Sequence, residues 1–122
     1  LTLHVPLNAE TVNLIGPAEL RLLPSGAVLV NTSRGRVVDE SALLSALKSG
    51  QLAGAALDVI AAEQTSVDVK SGRDELLAHA STHNNLLITP HIGGATVESM
   101  AATEVFMANK LVRFLEDSFS DH

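Results

Sequence analysis

Short apolar stretches that alternate with helical patterns constrain the fold of this chain more than any other feature. Ala27–Asn31 and Ala53–Val59 are apolar without a polar alternation, which is typical of strands buried on both faces of a sheet. Shorter apolar runs occupy Leu1–Val5 and Leu86–Thr89, and a proline directly follows each of them. We therefore predict a strand at each of these places.

Helical patterns fill most of the gaps between the strands. A helical turn is expected over Glu10–Ile15 and a short helix over Ala18–Leu23, where a Gly-Pro pair precedes it. Asp39 can cap the next helix, and Gly50 suits its C-terminal end. Apolar strands that alternate with helices indicate an α/β fold built on a parallel sheet.

The last part of the chain combines an irregular stretch with a long helix. Ala61–Asn85 is polar, with one weak helical pattern over Arg73–Ala80, and a stretch of this kind is usually a functional loop. Thr96 can cap a final helix that reaches Glu116, because apolar residues recur there at steps of three and four. The tail from Asp117 onward is expected to fray.

Composition excludes several classes of function. The chain has 8 basic and 14 acidic residues, whereas nucleic-acid binding needs a clustered basic surface. It has no Cys, so disulfides and thiolate metal sites are excluded, and no metal site is predicted. No apolar run approaches the roughly 18 residues of a transmembrane helix. These features favour a cytoplasmic protein without nucleic-acid or membrane partners.

Three polar clusters directly follow predicted strands, at Asn31–Arg34, Asp58–Glu63 and Thr89–Gly94. Ligands of parallel α/β sheets bind outside the carboxyl ends of the strands. We therefore expect the three clusters to converge at one edge of the sheet.

Three side chains in these clusters are candidates for acid–base chemistry. The Arg34 guanidinium could bind a carboxylate through two parallel hydrogen bonds. A carboxylate such as Glu63 beside the His91 imidazole would hold one tautomer and suit the ring for proton transfer near neutral pH. Each has an ordinary interpretation alone: a solvated arginine, a surface carboxylate, a structural histidine. Their placement after successive strands favours the catalytic interpretation.

Four motifs in this order resemble the D-isomer-specific 2-hydroxyacid dehydrogenase family. They are LHVPL at Leu3–Leu7, NTSRGRVVD at Asn31–Asp39, GAALDV at Gly54–Val59 and TPHIGG at Thr89–Gly94. The HIGGAT ending at His91–Thr96 most resembles the phosphoglycerate dehydrogenase branch. The resemblance implies a partial Rossmann-like parallel sheet with flanking helices and a long C-terminal helix.

The resemblance also implies a role for each candidate residue. Arg34 would bind the substrate carboxylate and keto oxygen. His91 would donate a proton to the substrate or accept one from it, and Glu63 would be the carboxylate partner of His91. Asp58 would contact the nicotinamide carboxamide. The residues implied to line or adjoin the cofactor pocket are His4, Val5, Pro6, Thr32, Ser33, Arg34, Asp58, His91, Gly93 and Gly94.

The same resemblance implies that the chain consists of two structural parts. Residues 1–95 would be the C-terminal half of a dinucleotide-binding domain, and residues 96–122 a helix that returns toward a substrate domain. Because the chain lacks an initiator Met and opens within a predicted strand, we interpret it as a fragment. The chain contains no Gly-x-Gly-x-x-Gly phosphate loop, so we expect it to be inactive by itself.

The implied function is an NAD-dependent oxidoreductase that transfers a hydride between the cofactor and a D-2-hydroxy or 2-keto acid, such as 3-phosphoglycerate. NADP stays open as the cofactor, since no acidic residue that would read the adenosine ribose is found. The full-length protein is expected to be a homo-oligomer. Two alternatives are a corepressor-like binding protein of the same fold and an inactive gene fragment.

Overall fold

The computed structural model describes residues 1–61 and 70–120. Within them, strands and helices alternate along the chain as predicted. In order, the elements are β1 (Thr2–Leu3), α1 (Pro17–Leu22), β2 (Ala27–Asn31), α2 (Glu40–Lys48), β3 (Leu52–Leu57), α3 (Lys70–Thr82), β4 (Leu86–Ile88) and α4 (Val97–Ser120). A 3-10 turn over Gly35–Val37 lies in the loop between β2 and α2.

The described strands form one four-stranded parallel sheet in the order β1-β2-β3-β4. Asn31 is paired with Leu3 on one side and with Leu57 on the other, and Leu57 is paired with Ile88. The last residues of all four strands are therefore level with one another. The predicted α/β class with a partial Rossmann-like parallel sheet is confirmed.

The hydrophobic core lies on one face of this sheet. Leu29, Leu57 and Leu86 belong to a single buried cluster together with Leu20 of α1, three leucines of α2 and Leu76 of α3. When parallel strands are added side by side in chain order, right-handed connections place the intervening helices on the same face. The order of the strands therefore explains why α1, α2 and α3 share one core.

The opposite face of the sheet is only partly covered, which corrects the expectation that the strands are buried on both faces. Val28 in β2 is 51% exposed and Leu87 in β4 is 60% exposed, while their neighbours Leu29 and Leu86 are buried. Successive side chains of a strand point to opposite faces. The apolar runs thus predicted the strands correctly but not the burial of their second face.

The helical turn predicted over Glu10–Ile15 is present only in part, and it does not extend into a helix. Asn8 caps a single turn: its side-chain oxygen accepts hydrogen bonds from the N–H groups two and three residues later at 2.9 and 3.0 Å, and its carbonyl accepts from the Val12 N–H at 3.1 Å. Asn13 then adopts the left-handed backbone, with φ of 52°, that commonly ends a helical turn. The turn therefore stops before α1 begins.

Both helices of the last third of the chain are longer than predicted. The helix α3 has 13 residues and occupies much of the stretch that the sequence analysis assigned to a loop. Among the residues of α3 whose burial is described, from position 74 onward, Leu76 and His79 are buried, and a nonpolar residue paired with a polar one gives a weak apolar pattern. The helix α4 continues to Ser120, past the predicted end at Glu116, so the expected fraying from Asp117 is not seen up to Ser120.

Asp39 caps α2 as predicted. Its carboxylate accepts hydrogen bonds from the N–H groups of Ser41 and Ala42, each at 3.0 Å, and from the Ser41 hydroxyl at 2.7 Å. These donors, with the Ala42 N–H contributing most, hold the pKa of Asp39 below its ordinary value. After α2 ends, Gly50 adopts the left-handed backbone, with φ of 77°, that the sequence led us to expect there.

The chain divides into two compact units, Leu1–His91 and Ile92–His122. In the described part of the second unit, Thr96 and Ser99 cap the start of α4 reciprocally. The Thr96 hydroxyl accepts from the Ser99 N–H and the Ser99 hydroxyl accepts from the Thr96 N–H, each at 3.1 Å. None of the helices among the described residues combines the length and the apolar character that crossing a membrane requires.

Candidate functional site

The loops that follow the strands all leave the sheet at one edge. His4, Thr32, Asp58 and Thr89 each come directly after the last residue of a strand, and those last residues are paired in register. The first residues of the predicted polar clusters therefore lie side by side, as expected for the carboxyl edge of a parallel sheet.

Asn31 shapes the loop that carries Arg34. Its side chain is only 1% exposed, its Nδ2 donates to the Arg34 carbonyl at 3.0 Å, and its Oδ1 accepts from the Ser33 N–H at 3.0 Å and the Ser33 hydroxyl at 2.9 Å. The amide thus fixes both ends of the turn that follows β2. Sequence reasoning did not single out this residue, although an Asn with a Ser two residues later is a signal for such a turn.

The segments after β1 and β2 enclose a cleft of about 610 Å³. Six residues predicted to line the cofactor pocket lie on its walls, together with Leu7; they are His4, Val5, Pro6, Thr32, Ser33 and Arg34. Arg34 is exposed, and its Nη1 donates to the Ser33 carbonyl at 2.6 Å. A guanidinium has five N–H donors, so this bond leaves donors for a ligand.

Asp58 and Thr89 form the polar contact between the ends of β3 and β4. Asp58 is 6% exposed, and its Oδ1 accepts a hydrogen bond from the Thr89 hydroxyl at 2.5 Å. The Asp58 N–H donates to the Asn31 carbonyl at 3.0 Å, which continues the pairing of β2 and β3 by one residue. The carboxylate predicted to contact the cofactor is therefore held at the edge of the sheet.

His91 has an uncommon backbone conformation, with φ of 56°. Non-glycine residues rarely occupy this left-handed region, and such conformations cluster at functional sites. The His91 N–H donates to the Thr89 carbonyl at 3.0 Å. The side chain lines a second cavity, of about 800 Å³, between α3 and the end of β4, whose walls include Ile60, Leu77, Thr89 and Pro90.

The structure does not bring every predicted site residue together. Arg34 lines the cleft beside β1, whereas His91 lines the cavity beside α3. Glu63, the predicted partner of His91, lies outside the described residues. Gly93 and Gly94 belong to the second compact unit. The individual roles of these residues stay predictions.

Two residues that the sequence analysis did not name connect the loop after β2 to the loop after β3. A Cβ on Gly35 would overlap the backbone of Ile60 and Ala61, so only glycine allows this close approach. One side chain of α2 adds a bond, because the Glu40 Oε1 accepts from the Ala61 N–H at 2.6 Å. A glycine directly after the candidate arginine was the available signal, but its partner is distant in sequence.

The fold and these loops define a class of protein. A parallel α/β sheet with polar loops along its carboxyl edge has the architecture of the open α/β proteins that bind ligands at that edge. Residues 1–93 match the family model described as D-isomer specific 2-hydroxyacid dehydrogenase, NAD binding domain. The chain belongs to this family, and the resemblance inferred from the four motifs is confirmed. NAD, the predicted cofactor, is the one that this domain of the family binds.

Curated relatives and solved structures agree with the family assignment. The chain is 39% identical to D-3-phosphoglycerate dehydrogenase of Escherichia coli (strain K12) over 117 residues, which are 96% of this chain and 27% of that protein. It is 42% identical to glyoxylate reductase of Thermococcus litoralis over 114 residues, 93% of this chain and 31% of that protein.

A solved structure extends the comparison to the fold. D-lactate dehydrogenase from Aquifex aeolicus, complexed with NAD and lactic acid, is similar with a TM-score of 0.73 and 30% identity. The match covers 95% of this chain and 37% of that one. The chain therefore spans between about a quarter and two fifths of the proteins it matches.

Proposed function

We propose that this chain is the half of an NAD-binding domain that carries the catalytic residues of a D-2-hydroxyacid dehydrogenase. The observation that carries the proposal is the position of Arg34 and His91. Arg34 comes three residues after Asn31, the end of β2, and His91 comes three residues after Ile88, the end of β4. Both strand ends are paired in register with Leu57 of β3. Together with the family assignment, this supports a reaction at the carboxyl edge of the sheet.

The residues of the first unit fit the nicotinamide end of the cofactor. The cleft beside β1 has the volume of a small-molecule site and joins an apolar wall, Val5 and Pro6, to hydroxyl groups of Thr32 and Ser33. The Asp58 carboxylate, next in the row of strand ends, would accept from the carboxamide. NAD, when bound, would accept or supply the hydride at C2 of the substrate.

Arg34 and His91 would supply the remaining chemistry. The Arg34 guanidinium would bind the substrate carboxylate and stabilise the negative charge that grows on the C2 oxygen during reduction, a contribution of about 3–4 kcal/mol for one well-placed donor. The protonated His91 ring would give its proton to that oxygen. In the oxidation direction the neutral ring would take the proton from the hydroxyl group, and Glu63 would stabilise the resulting imidazolium.

The substrate class that we propose is a small 2-hydroxy or 2-keto acid. The names of the relatives include phosphoglycerate, glyoxylate and lactate enzymes, which share a carboxylate next to the reacting carbon. The Arg34 guanidinium would recognise that shared group. Among these acids, 3-phosphoglycerate stays the candidate favoured by the HIGGAT ending at His91–Thr96.

We also propose the arrangement of the longer protein. Residues 1–95 would complete a dinucleotide-binding domain with preceding segments, and 96–122 would lead toward a substrate domain. Support comes from α4, where side chains such as Phe106 and Phe114 are exposed although they are large and apolar. We propose that the full-length protein is a homo-oligomer and that it is located in the cytoplasm.

The proposal is tested in the longest natural polypeptide that contains this chain, by following NADH oxidation with pyruvate, glyoxylate and phosphohydroxypyruvate. We expect turnover with at least one of these acids. His91→Ala should lower kcat about 100-fold or more, because a general acid contributes that much. Arg34→Ala should raise KM for the keto acid and lower kcat.

The matched control is Arg36→Ala, which removes a second exposed arginine two residues away. This variant should keep the wild-type kinetic constants. NADH binding without turnover of any acid would contradict the dehydrogenase proposal and favour the corepressor-like alternative. Equal losses in Arg34→Ala and Arg36→Ala would refute the role of Arg34.

A further inference from the structure

We propose that Thr89 is a positioning residue, which holds the carboxylate of Asp58 and the backbone of His91 in a fixed relation at the end of β4. The inference rests on the proposed function, since it gives Thr89 a task in that same site. Thr89 itself would touch neither the hydride nor the proton. It would act through the two residues to which it is bonded.

Thr89 makes three hydrogen bonds in three directions. Its N–H donates to the Leu57 carbonyl at 2.9 Å, which extends the pairing of β3 and β4 by one residue. Its hydroxyl donates to Asp58 Oδ1 at 2.5 Å, and its carbonyl accepts from the His91 N–H at 3.0 Å. One residue thus connects the predicted cofactor contact with the predicted proton donor.

In the bond to Asp58, the Thr89 hydroxyl donates its one proton to a buried carboxylate. Asp58 is 6% exposed, and a carboxylate removed from water needs hydrogen-bond donors to stay ionised at low cost. A hydroxyl group has only one proton to give, so the Thr89 hydroxyl is committed to Asp58. The carboxylate is therefore oriented from β4 as well as from its own strand.

The bond to His91 acts on the backbone. With φ of 56°, His91 adopts a conformation that surrounding contacts must maintain. The bond from its N–H to the Thr89 carbonyl spans one intervening residue, Pro90, and helps to set the direction in which the His91 side chain leaves the strand. This bond involves only main-chain atoms of residue 89, so it survives a change of the side chain.

This division of contacts lets two variants separate the hydroxyl from the rest of the residue. Thr89→Val keeps the branched shape and the main-chain bonds but removes the proton donated to Asp58. Thr89→Ser keeps the hydroxyl and removes only a methyl group. If Thr89 positions Asp58, the valine variant should bind the cofactor less well and the serine variant should recover most of the loss.

The experiment measures the NADH dissociation constant and the steady-state constants of the longest natural polypeptide that contains this chain. For Thr89→Val we expect the Kd for NADH to rise about tenfold or more, because an Asp58 carboxylate that is no longer oriented would lose its hydrogen bond from the cofactor carboxamide. KM for the keto acid should change little, since the Arg34 loop is not involved. Thr89→Ser should stay within a few-fold of the wild type.

A second readout does not depend on activity. In the 122-residue chain, the ¹³C shift of the Asp58 side-chain carboxyl should change in Thr89→Val and return toward the wild-type value in Thr89→Ser. The matched control is Thr82→Val, which removes a hydroxyl that donates to the Ala78 carbonyl within α3, at 2.8 Å. It should leave both the carboxyl shift and the Kd for NADH unchanged.

The outcomes are distinguishable. A Thr89→Val protein with the wild-type Kd for NADH and an unchanged Asp58 carboxyl shift overturns the positioning role while leaving the proposed function intact. Equal effects of Thr89→Val and Thr89→Ser on Kd would show that packing, and not the hydroxyl, matters, and would also overturn it. A wild-type protein that reduces no 2-keto acid refutes the proposed function itself.

Discussion

Gly35 lies against the backbone of Ile60, so closely that a single added carbon atom would overlap the Ile60 carbonyl group. The contact joins the loop that carries Arg34 to the loop that leaves β3. These two loops belong to neighbouring strands, and the glycine sets the distance between them. The hydrogen bond from the Ala61 N–H to Glu40 secures the same junction from the side of α2.

Gly35→Ala is therefore expected to destabilise the chain. Forcing a methyl group into packed backbone costs about 1–3 kcal/mol, and here the atoms that must move are main-chain atoms of two loops. Urea unfolding followed by circular dichroism measures the change in the free energy of unfolding. Gly94→Ala is the control, because a Cβ at that position meets nothing within 4 Å. Equal stability of the two variants would contradict the close contact.

Capping by Asp39 should make stability depend on pH. The pKa of Asp39 is lowered from 3.8, chiefly by the hydrogen bond from Ala42, so the folded state binds the proton less readily than the unfolded state. Its contribution is present above the ordinary value and is lost as pH falls through the lowered pKa.

Asp39→Ala should cost about 1 kcal/mol at neutral pH, whereas Asp39→Asn keeps an uncharged cap and should cost less. The stability difference between the wild type and Asp39→Asn should shrink as pH falls below about 4, measured by urea unfolding at several pH values. A difference that is constant across this range would show that the carboxylate charge is not involved.

The left-handed backbone of His91 predicts a conflict between stability and activity. Glycine adopts φ of 56° without a penalty, while a residue with a Cβ loses about 1–2 kcal/mol there. His91→Gly should therefore be more stable than His91→Ala by about 1 kcal/mol in thermal unfolding, although both lack the imidazole. An alanine variant as stable as the glycine variant would mean that the backbone is not strained at this position.

The uneven burial of the sheet predicts opposite outcomes for two adjacent residues. Leu29 is fully buried in the core, so Leu29→Ala should cost about 2–5 kcal/mol in this chain. Val28 points to the other face and is half exposed, so Val28→Ala should cost less than about 1 kcal/mol. Chemical denaturation of the 122-residue chain checks both values. Similar costs would indicate that the second face is covered in solution.

Much of the fold could be predicted from the sequence because local signals agreed with the tertiary structure. The apolar runs around Leu29 and Leu57 predicted two strands, and Asp39 predicted the start of α2. The exposure of the second sheet face could not be predicted, because an apolar run such as Ala27–Asn31 does not indicate on which face of the sheet the connecting helices pack. The helix α3 was underestimated, since its buried positions include His79, which bonds to Asn85 at 2.8 Å instead of adding to an apolar stripe.

The candidate site, like the fold, has features that the sequence could predict and features that it could not. Motifs placed Arg34 and His91 after strand ends, and the register of the sheet gives those ends a common edge. Asn31 organises the loop after β2 through local bonds to Ser33 and Arg34, so an Asn with a Ser two residues later was an available signal. Gly35 acts through a close contact with Ile60, which is distant in sequence, and no pattern along the chain indicates that partner.

Transfer of deuterium from NADH to a 2-keto acid would reveal the proposed hydride transfer itself. The longest natural polypeptide that contains this chain is incubated with NADH deuterated at the transferable position and with glyoxylate, pyruvate or phosphohydroxypyruvate in separate reactions. We expect a 2-hydroxy acid with one deuterium at C2, detected by mass spectrometry, and the loss of this product in His91→Ala. A product without deuterium, or no product from any of the three acids, would contradict hydride transfer to a 2-keto acid.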